Sequence, residues 1–229
     1  MLVDASAREL LSGAGLDMRF LGTREQGDPD AMRVYPATVD RNLCSHCLAC
    51  VKLCPSISWD SSKGQVVVNE VSCKGCGICG AICPAGAISQ RQFGTAVIFE
   101  ILDHIWDGNG GEPAVNSCST CPMAVSSLHD DFMKEIPSGT VRVLCSGRAE
   151  TIHVLETARA GIGGMLLIDC FRDVKQKERF ERGERRIEQG ARLLKTLGGR
   201  QVRVEAAKIR GRNMDELPAA LGRFRRDPP

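Results

Sequence analysis

Eight of the twelve cysteines in this chain of 229 residues lie in two short runs of identical spacing. The first run comprises Cys44, Cys47, Cys50 and Cys54, and the second comprises Cys73, Cys76, Cys79 and Cys83; a proline follows the fourth cysteine of each run. Thiolates at this spacing bind iron–sulfur cubes, and the fourth thiolate of a run completes the cube held by the other run. The spacing therefore predicts two [4Fe–4S] clusters.

This doubled pattern is the one that bacterial ferredoxins use, and it assigns the ligands. We expect one cluster to bind Cys44, Cys47, Cys50 and Cys83, and the other to bind Cys73, Cys76, Cys79 and Cys54. Gly75, Gly77 and Gly80 are expected to let backbone amides approach the cluster sulfurs. Zinc is the alternative metal, although zinc motifs pair their cysteines across longer gaps.

The other four cysteines follow short apolar segments that alternate with helical patterns. The candidate strands are residues 114–117, 141–144, 165–169 and 202–205, and the candidate helices between them are residues 151–158 and 174–197. Gly190 is unfavourable inside the second of these helices. Alternation of strands and helices predicts a parallel sheet, in which ligands bind at the carboxyl ends of the strands. We therefore expect Cys118, Cys121, Cys145 and Cys170, here called the third cysteine site, at one edge of that sheet.

Four thiols at one sheet edge indicate a metal site, and a [2Fe–2S] cluster fits their number. Three alternatives remain open for them. Zinc could take the same four thiolates. Cys118 and Cys121 could instead form a thioredoxin-type redox pair at the start of a helix, or the cysteines could be small buried apolar side chains.

The composition narrows the cellular setting and the partners. No apolar run is long enough to span a bilayer, and charged residues near the amino terminus interrupt any signal-peptide core, so we expect a cytoplasmic protein with reduced thiols. Residues 172–226 carry 17 Lys and Arg against 8 Asp and Glu. This region suits docking to a partner protein, or it is a helix with internal ion pairs. Aromatic residues make up only 4% of the chain and do not interleave with the basic ones, which argues against nucleic acid.

These patterns predict an α+β ferredoxin domain with two [4Fe–4S] clusters, followed by an α/β domain with a small parallel sheet. We place the ferredoxin domain at residues 36–92 and the α/β domain at residues 114–226. Between them, residues 93–113 hold a helix at 96–106 and a Gly-rich linker. Residues 1–35 are expected to be an amino-terminal docking arm.

Both halves resemble known families. The second half resembles the delta subunit (MvhD) family of methyl-viologen-reducing hydrogenase, in the words Cys118-x2-Cys121, Val143-Leu-Cys145-Ser-Gly-Arg148, Met165-Leu-Leu-Ile-Asp-Cys170 and Glu184-Arg-Arg186. The first half, in the words Cys73-Lys-Gly-Cys76-Gly-Ile-Cys79 and Pro84-Ala-Gly-Ala-Ile-Ser89, is similar to the carboxyl-terminal ferredoxin region of HdrA, the flavin-containing component of heterodisulfide reductase. The delta-subunit family often carries further cysteines where this chain has Ser117 and residues 171–175, which leaves open an altered or lost cluster.

The resemblance implies a fusion of two electron-transfer domains that lacks the flavin domain of HdrA. The third cysteine site would hold a [2Fe–2S] cluster and exchange electrons with the two [4Fe–4S] clusters. Implied partners are a flavin-containing protein like HdrA and a dehydrogenase or hydrogenase of anaerobic metabolism. Arg148, beside a ligand, would favour the reduced cluster, or it lies at the surface.

We therefore expect an electron-transfer subunit of an oxidoreductase complex that itself catalyses no reaction. The alternative is a ferredoxin-coupled thiol–disulfide oxidoreductase that uses Cys118 and Cys121. A zinc-bearing interaction module is a third possibility.

Overall fold

The computed structural model describes residues 35–90, 94–106, 114–118, 140–143, 145–169, 174–208 and 216–226. The chain forms two compact units, Met1–Gly94 and Thr95–Pro229. The predicted docking arm lies outside the described residues, apart from its last residue, Tyr35. None of the helices in the described ranges is long and apolar enough to cross a membrane.

The first unit contains two small antiparallel sheets and two short helices. Its elements are β1 (Thr38–Val39), α1 (Ala49–Leu53), β2 (Ile57–Asp60), β3 (Gln65–Val68), α2 (Ile78–Ala81) and β4 (Ile88–Ser89). Strand β2 pairs with β3, and β1 pairs with β4, so that the two ends of the unit meet.

Cysteine side chains form part of the core of this unit. Cys50 and Cys79 are buried in one cluster with Ile57, Val66 and Ile88. Partly buried thiols from both runs pack against the same cluster, namely Cys44, Cys54, Cys73 and Cys83. A small core with few aromatic side chains is thus built largely around the thiols, which places the predicted ligands at its centre.

The second unit contains a four-stranded parallel sheet, which confirms the predicted sheet type. Its elements are α3 (Thr95–Trp106), β5 (Ala114–Cys118), β6 (Thr140–Val143), a 3-10 turn (Ser146–Arg148), α4 (Thr151–Arg159), β7 (Gly164–Asp169), α5 (Val174–Thr196), β8 (Arg203–Lys208) and α6 (Glu216–Arg226). The strand order is β6-β5-β7-β8. The helix predicted at residues 174–197 runs without interruption.

Helix α3 belongs to the second unit. The division between the units falls after Gly94, and α3 packs against α4 and β6. Thr95 accepts a hydrogen bond from Arg148, and Arg159 of α4 pairs with Asp103. The amphipathic pattern of α3 therefore reflects packing on the α/β unit.

Gly190 lies in the contact between α4 and α5, which explains a glycine inside a long helix. A Cβ atom at residue 190 would lie 2.8 Å from Val154 Cβ and 2.9 Å from the carbonyl oxygen of Thr151. On the same face of α5, Phe180, Ile187 and Leu194 enter the core. The helix-weakening effect expected from Gly190 is outweighed by the close packing that the missing side chain allows.

Candidate metal centres

Four thiols of the first unit surround one cavity. Cys44, Cys47, Cys50 and Cys83 line one small pocket, whose other walls are mainly apolar. The first three belong to the first run, and Cys83 is the last cysteine of the second run. The fold thus brings together the crossed set of four that the spacing predicts for one cluster.

A second set of four thiols lies around Cys79. Burial raises the pKa of the Cys79 thiol to about 12, and the nearby thiols of Cys76, Cys54 and Cys73 act in the same direction. Here too, three members come from one run and Cys54 from the other. Thiolates gathered in a half-buried site repel one another, so a group that carries several iron cations suits this donor set.

The loops that carry the first two thiols of each run share one backbone shape. In the first loop His46 and Leu48 have left-handed φ angles of 54° and 58°, and in the second Gly75 and Gly77 have φ angles of 60° and 76°. These positions are equivalent, since each glycine follows its counterpart by 29 residues. The predicted need for glycine backbone freedom therefore applies to Gly75 and Gly77.

Gly80 lies at a close contact between two backbone segments. It lies within helix α2, and a Cβ atom there would be 3.1 Å from the carbonyl oxygen of Ile88. Gly80 therefore lets α2 approach strand β4. Next to this contact, the backbone N–H of Ala87 donates a hydrogen bond to the sulfur of Cys83 at 3.3 Å.

The nine cysteines whose side chains the structure describes are free thiols. Within that part of the chain, no three His, Cys, Asp or Glu side chains are arranged to hold a single metal ion. The thiols of the first crossed set are instead spread around a cavity.

The strand ends of the second unit place cysteines at one edge of the sheet. Cys118 is the last residue of β5 and pairs with Val143, two residues before Cys145. In β7, Ile168 pairs with Ser117, and Cys170 follows β7 in sequence by one residue. Cys121 and Cys170 themselves lie outside the described residues.

This edge is where an open parallel sheet binds its ligands. Strand β5 lies between β6 and β7, so the chain leaves β5 towards one side and later returns to its other side. Ligand sites in such sheets lie at the carboxyl ends of the strands where the order reverses. The third cysteine site is thus expected at the switch point of the sheet.

Arg148 is buried, so the predicted surface role is wrong. Its side chain is only 3% exposed, forms an ion pair with Glu150 and donates a hydrogen bond of 2.9 Å to Thr95 Oγ1. Because Glu150 offsets its charge, Arg148 is first of all a structural link between α3 and the turn after β6.

Arg186 is a second arginine near Cys145. Its Nε donates to the carbonyl oxygen of Ala149 at 2.8 Å, and its Nη2 donates to that of Gly147. Burial lowers the pKa of Arg186 to about 10; Arg182 acts in the same direction, and Cys145 opposes the shift. The guanidinium therefore remains charged at neutral pH.

His153 is a buried histidine that sequence reasoning did not single out. Its Nδ1 accepts a hydrogen bond from the backbone N–H of Glu150, and the Glu150 side chain caps the helix in return. Burial lowers the pKa of His153 well below its ordinary value, and Arg148 and Arg186 add to the effect. The neutral ring therefore caps the helix. In the sequence, the i,i+3 spacing of Glu150 and His153 is the feature that could have indicated this cap.

Two crossed sets of four thiols define the first unit as a ferredoxin-type iron–sulfur domain, joined to a parallel α/β unit. Residues 37–84 match the family model described as a 4Fe-4S dicluster domain. Residues 115–227 match the family model described as methyl-viologen-reducing hydrogenase, delta subunit. These matches confirm a fusion and the predicted resemblance of its second half. The resemblance of the first half to HdrA stays a prediction.

Similar proteins match parts of the chain. Indolepyruvate oxidoreductase subunit IorA of Methanothermobacter thermautotrophicus is 40% identical over 66 residues, which are 28% of this chain and 10% of that protein. An uncharacterized ferredoxin of Methanocaldococcus jannaschii is 36% identical over 80 residues, 34% of this chain and 43% of the ferredoxin. The archaeal-type glutamate synthase [NADPH] of Thermotoga maritima is 39% identical over 51 residues, 21% of this chain and 10% of the enzyme. The chain thus spans about a tenth of the IorA relative.

Proposed function

We propose that this chain is an electron-transfer subunit of an oxidoreductase complex. The observation that carries the proposal is the crossed arrangement of thiols, in which each set of four takes its last member from the other run. The dicluster match at residues 37–84 supports the same function. Bound [4Fe–4S] clusters would supply one-electron carriers.

The first unit would hold both [4Fe–4S] clusters through its crossed thiol sets. Cys44, Cys47, Cys50 and Cys83 would bind one cluster, and Cys73, Cys76, Cys79 and Cys54 would bind the other. The chain contributes thiolates, apolar walls such as Val66 and Ile88 that limit water, and backbone donors such as the N–H of Ala87. Hydrogen bonds to sulfur and exclusion of water are two means by which a protein sets cluster potentials.

The third cysteine site would hold a [2Fe–2S] cluster. The proposal is supported by the position of Cys118 at the end of β5, by Cys145 just beyond β6 and by the delta-subunit match that covers all four cysteines. Electrons would then pass between this site and the [4Fe–4S] clusters, in a direction set by the partners.

The partners would be other subunits of that complex. We propose a flavin-containing protein similar to the HdrA component of heterodisulfide reductase, together with a dehydrogenase or hydrogenase. The delta-subunit match supports a place beside a hydrogenase-like enzyme.

Iron and sulfide analysis of the full chain, purified without oxygen, tests the proposal. Three clusters require about ten irons per chain. Cys145→Ser should remove about two irons, and Cys47→Ser should remove about four while leaving the spectrum of the third cluster intact. About eight irons in the unsubstituted chain would favour the thiol–disulfide alternative at Cys118 and Cys121, and zinc beside eight irons would favour the interaction module.

A further inference from the structure

The segment after Cys145 is a tight, buried turn. The N–H of Arg148 donates to the carbonyl oxygen of Cys145 at 2.9 Å, and the N–H of Ala149 donates to that of Ser146 at 3.0 Å. Residues 146–149 are all buried. The position of Cys145 at the sheet edge therefore depends on what holds this turn.

Helix α5 holds the turn at two points. At Gly183, a Cβ atom would lie 2.7 Å from the carbonyl oxygen of Ser146, so the helix backbone comes as close as a glycine allows. One helical turn later, Arg186 donates to the carbonyl oxygens of Gly147 and Ala149. A glycine contact and an arginine clamp thus fix the turn from the same helix face.

The charge of Arg186 is not offset by an acid in the described part of the chain. Its hydrogen bonds there go to neutral backbone carbonyls. The charges of Arg182 and Arg185 act against it, and the thiol of Cys145 lies close enough to act in its favour. By contrast, Arg148 forms an ion pair with Glu150. A half-buried cation is costly to keep unless an anion compensates it, and a cluster held by the thiolate of Cys145 would supply that anion.

We infer that Arg186 is the positioning and counter-charge residue of the third cysteine site: it clamps the turn after Cys145 and places a positive charge beside the anionic sulfur site. The inference rests on the proposed function, because the anion it serves there is the [2Fe–2S] cluster with its thiolates. Since reduction adds a negative charge, a fixed cation favours the reduced form. At an effective dielectric constant of about 20, a unit charge within roughly 10 Å changes such an equilibrium by about tenfold.

The test is an anaerobic redox titration of the full chain, followed by electron paramagnetic resonance. The signal of the third cluster is the one that Cys145→Ser removes. Arg186→Gln should lower the equilibrium constant for its reduction by about tenfold, or about 59 mV for one electron. Arg186→Lys keeps the charge and should keep the potential close to that of the unsubstituted chain.

The matched control is Arg192→Gln on the same helix. Arg192 is exposed and pairs with Glu188, so its loss should leave the potential unchanged. A potential in Arg186→Gln equal to that of the Arg192→Gln control would overturn the inference while the third cluster stands. If Arg186→Gln loses the cluster, the lysine variant decides: a retained cluster with an unchanged potential supports the charge role, and a lost one overturns it. Only eight irons in the unsubstituted chain would overturn the proposed third cluster and this inference with it.

Discussion

Replacing Gly190 by alanine would put a methyl group into the contact between α4 and α5. The new carbon would lie 2.8 Å from Val154 Cβ and 2.9 Å from the carbonyl oxygen of Thr151. Both neighbours are fixed by the backbone, one as a carbonyl oxygen and the other as a Cβ atom, so neither can rotate away and the helices must separate. Forced separation in a packed core costs about 1–3 kcal/mol of unfolding free energy.

The same substitution also improves the intrinsic helix propensity by about 1 kcal/mol, so a control must isolate the steric part. Gly222 in α6 provides it, because a Cβ atom there would meet nothing within 4 Å. We expect Gly222→Ala to raise the unfolding free energy by up to about 1 kcal/mol and Gly190→Ala to fall below it by about 1–3 kcal/mol.

Urea unfolding without oxygen measures this difference. The chain has two tryptophans, so a Trp59→Phe background leaves Trp106 of α3 as the reporter of the second unit. Equal unfolding free energies for Gly190→Ala and Gly222→Ala would refute the inferred close contact between α4 and α5.

The thiol sites, the glycine loop and the buried histidine allow three further predictions. Cys54 and Cys76 belong to the same set, so the double variant Cys54→Ser/Cys76→Ser should lose no more iron than either single variant. Cys47 belongs to the other set, so Cys54→Ser/Cys47→Ser should lose about twice as much iron as either single variant, as counted by iron analysis. Gly75→Ala forces a side chain into a left-handed backbone and should lower the urea midpoint for loss of cluster absorbance by an amount equivalent to about 1 kcal/mol. Because the pKa of His153 is lowered in the fold, the unfolded chain binds more protons below about pH 6.5, so stability should fall as pH drops below that value. His153→Gln, which can still cap the helix, should flatten this dependence in urea titrations at several pH values.

The sequence predicts the features that depend on residues close together in the chain, namely the thiol sets and the ends of the strands. The spacing within each cysteine run predicts the crossed sets, because three thiolates of a run can reach one cluster while the fourth lies beyond the loop. Likewise, apolar strand patterns placed Cys118 and Cys145 at strand ends, as the sheet register bears out for the strands described.

What the sequence missed depends on contacts between distant segments. Nothing near Gly190 indicates that α4 lies against it, and nothing near Arg186 indicates the turn after Cys145. Strand β2 alternates poorly and is stabilised by pairing with β3 rather than by its own pattern. The amphipathic pattern of helix α3 would be the same for a helix between the two units and for one packed on the second unit. Only its packing on α4 assigns it to the second unit.

The two cysteine loops of the first unit reach the same shape by unequal means. His46 and Leu48 hold side chains where the other loop has Gly75 and Gly77. Exchange of residue 46 or 48 for another amino acid would therefore alter the surroundings of one iron site without demanding a new backbone path, while the glycine loop tolerates no such exchange freely. Substitutions should therefore be accepted more readily in the loop that contains His46 than in the loop that contains Gly75, so the surroundings of the two iron sites should not vary equally.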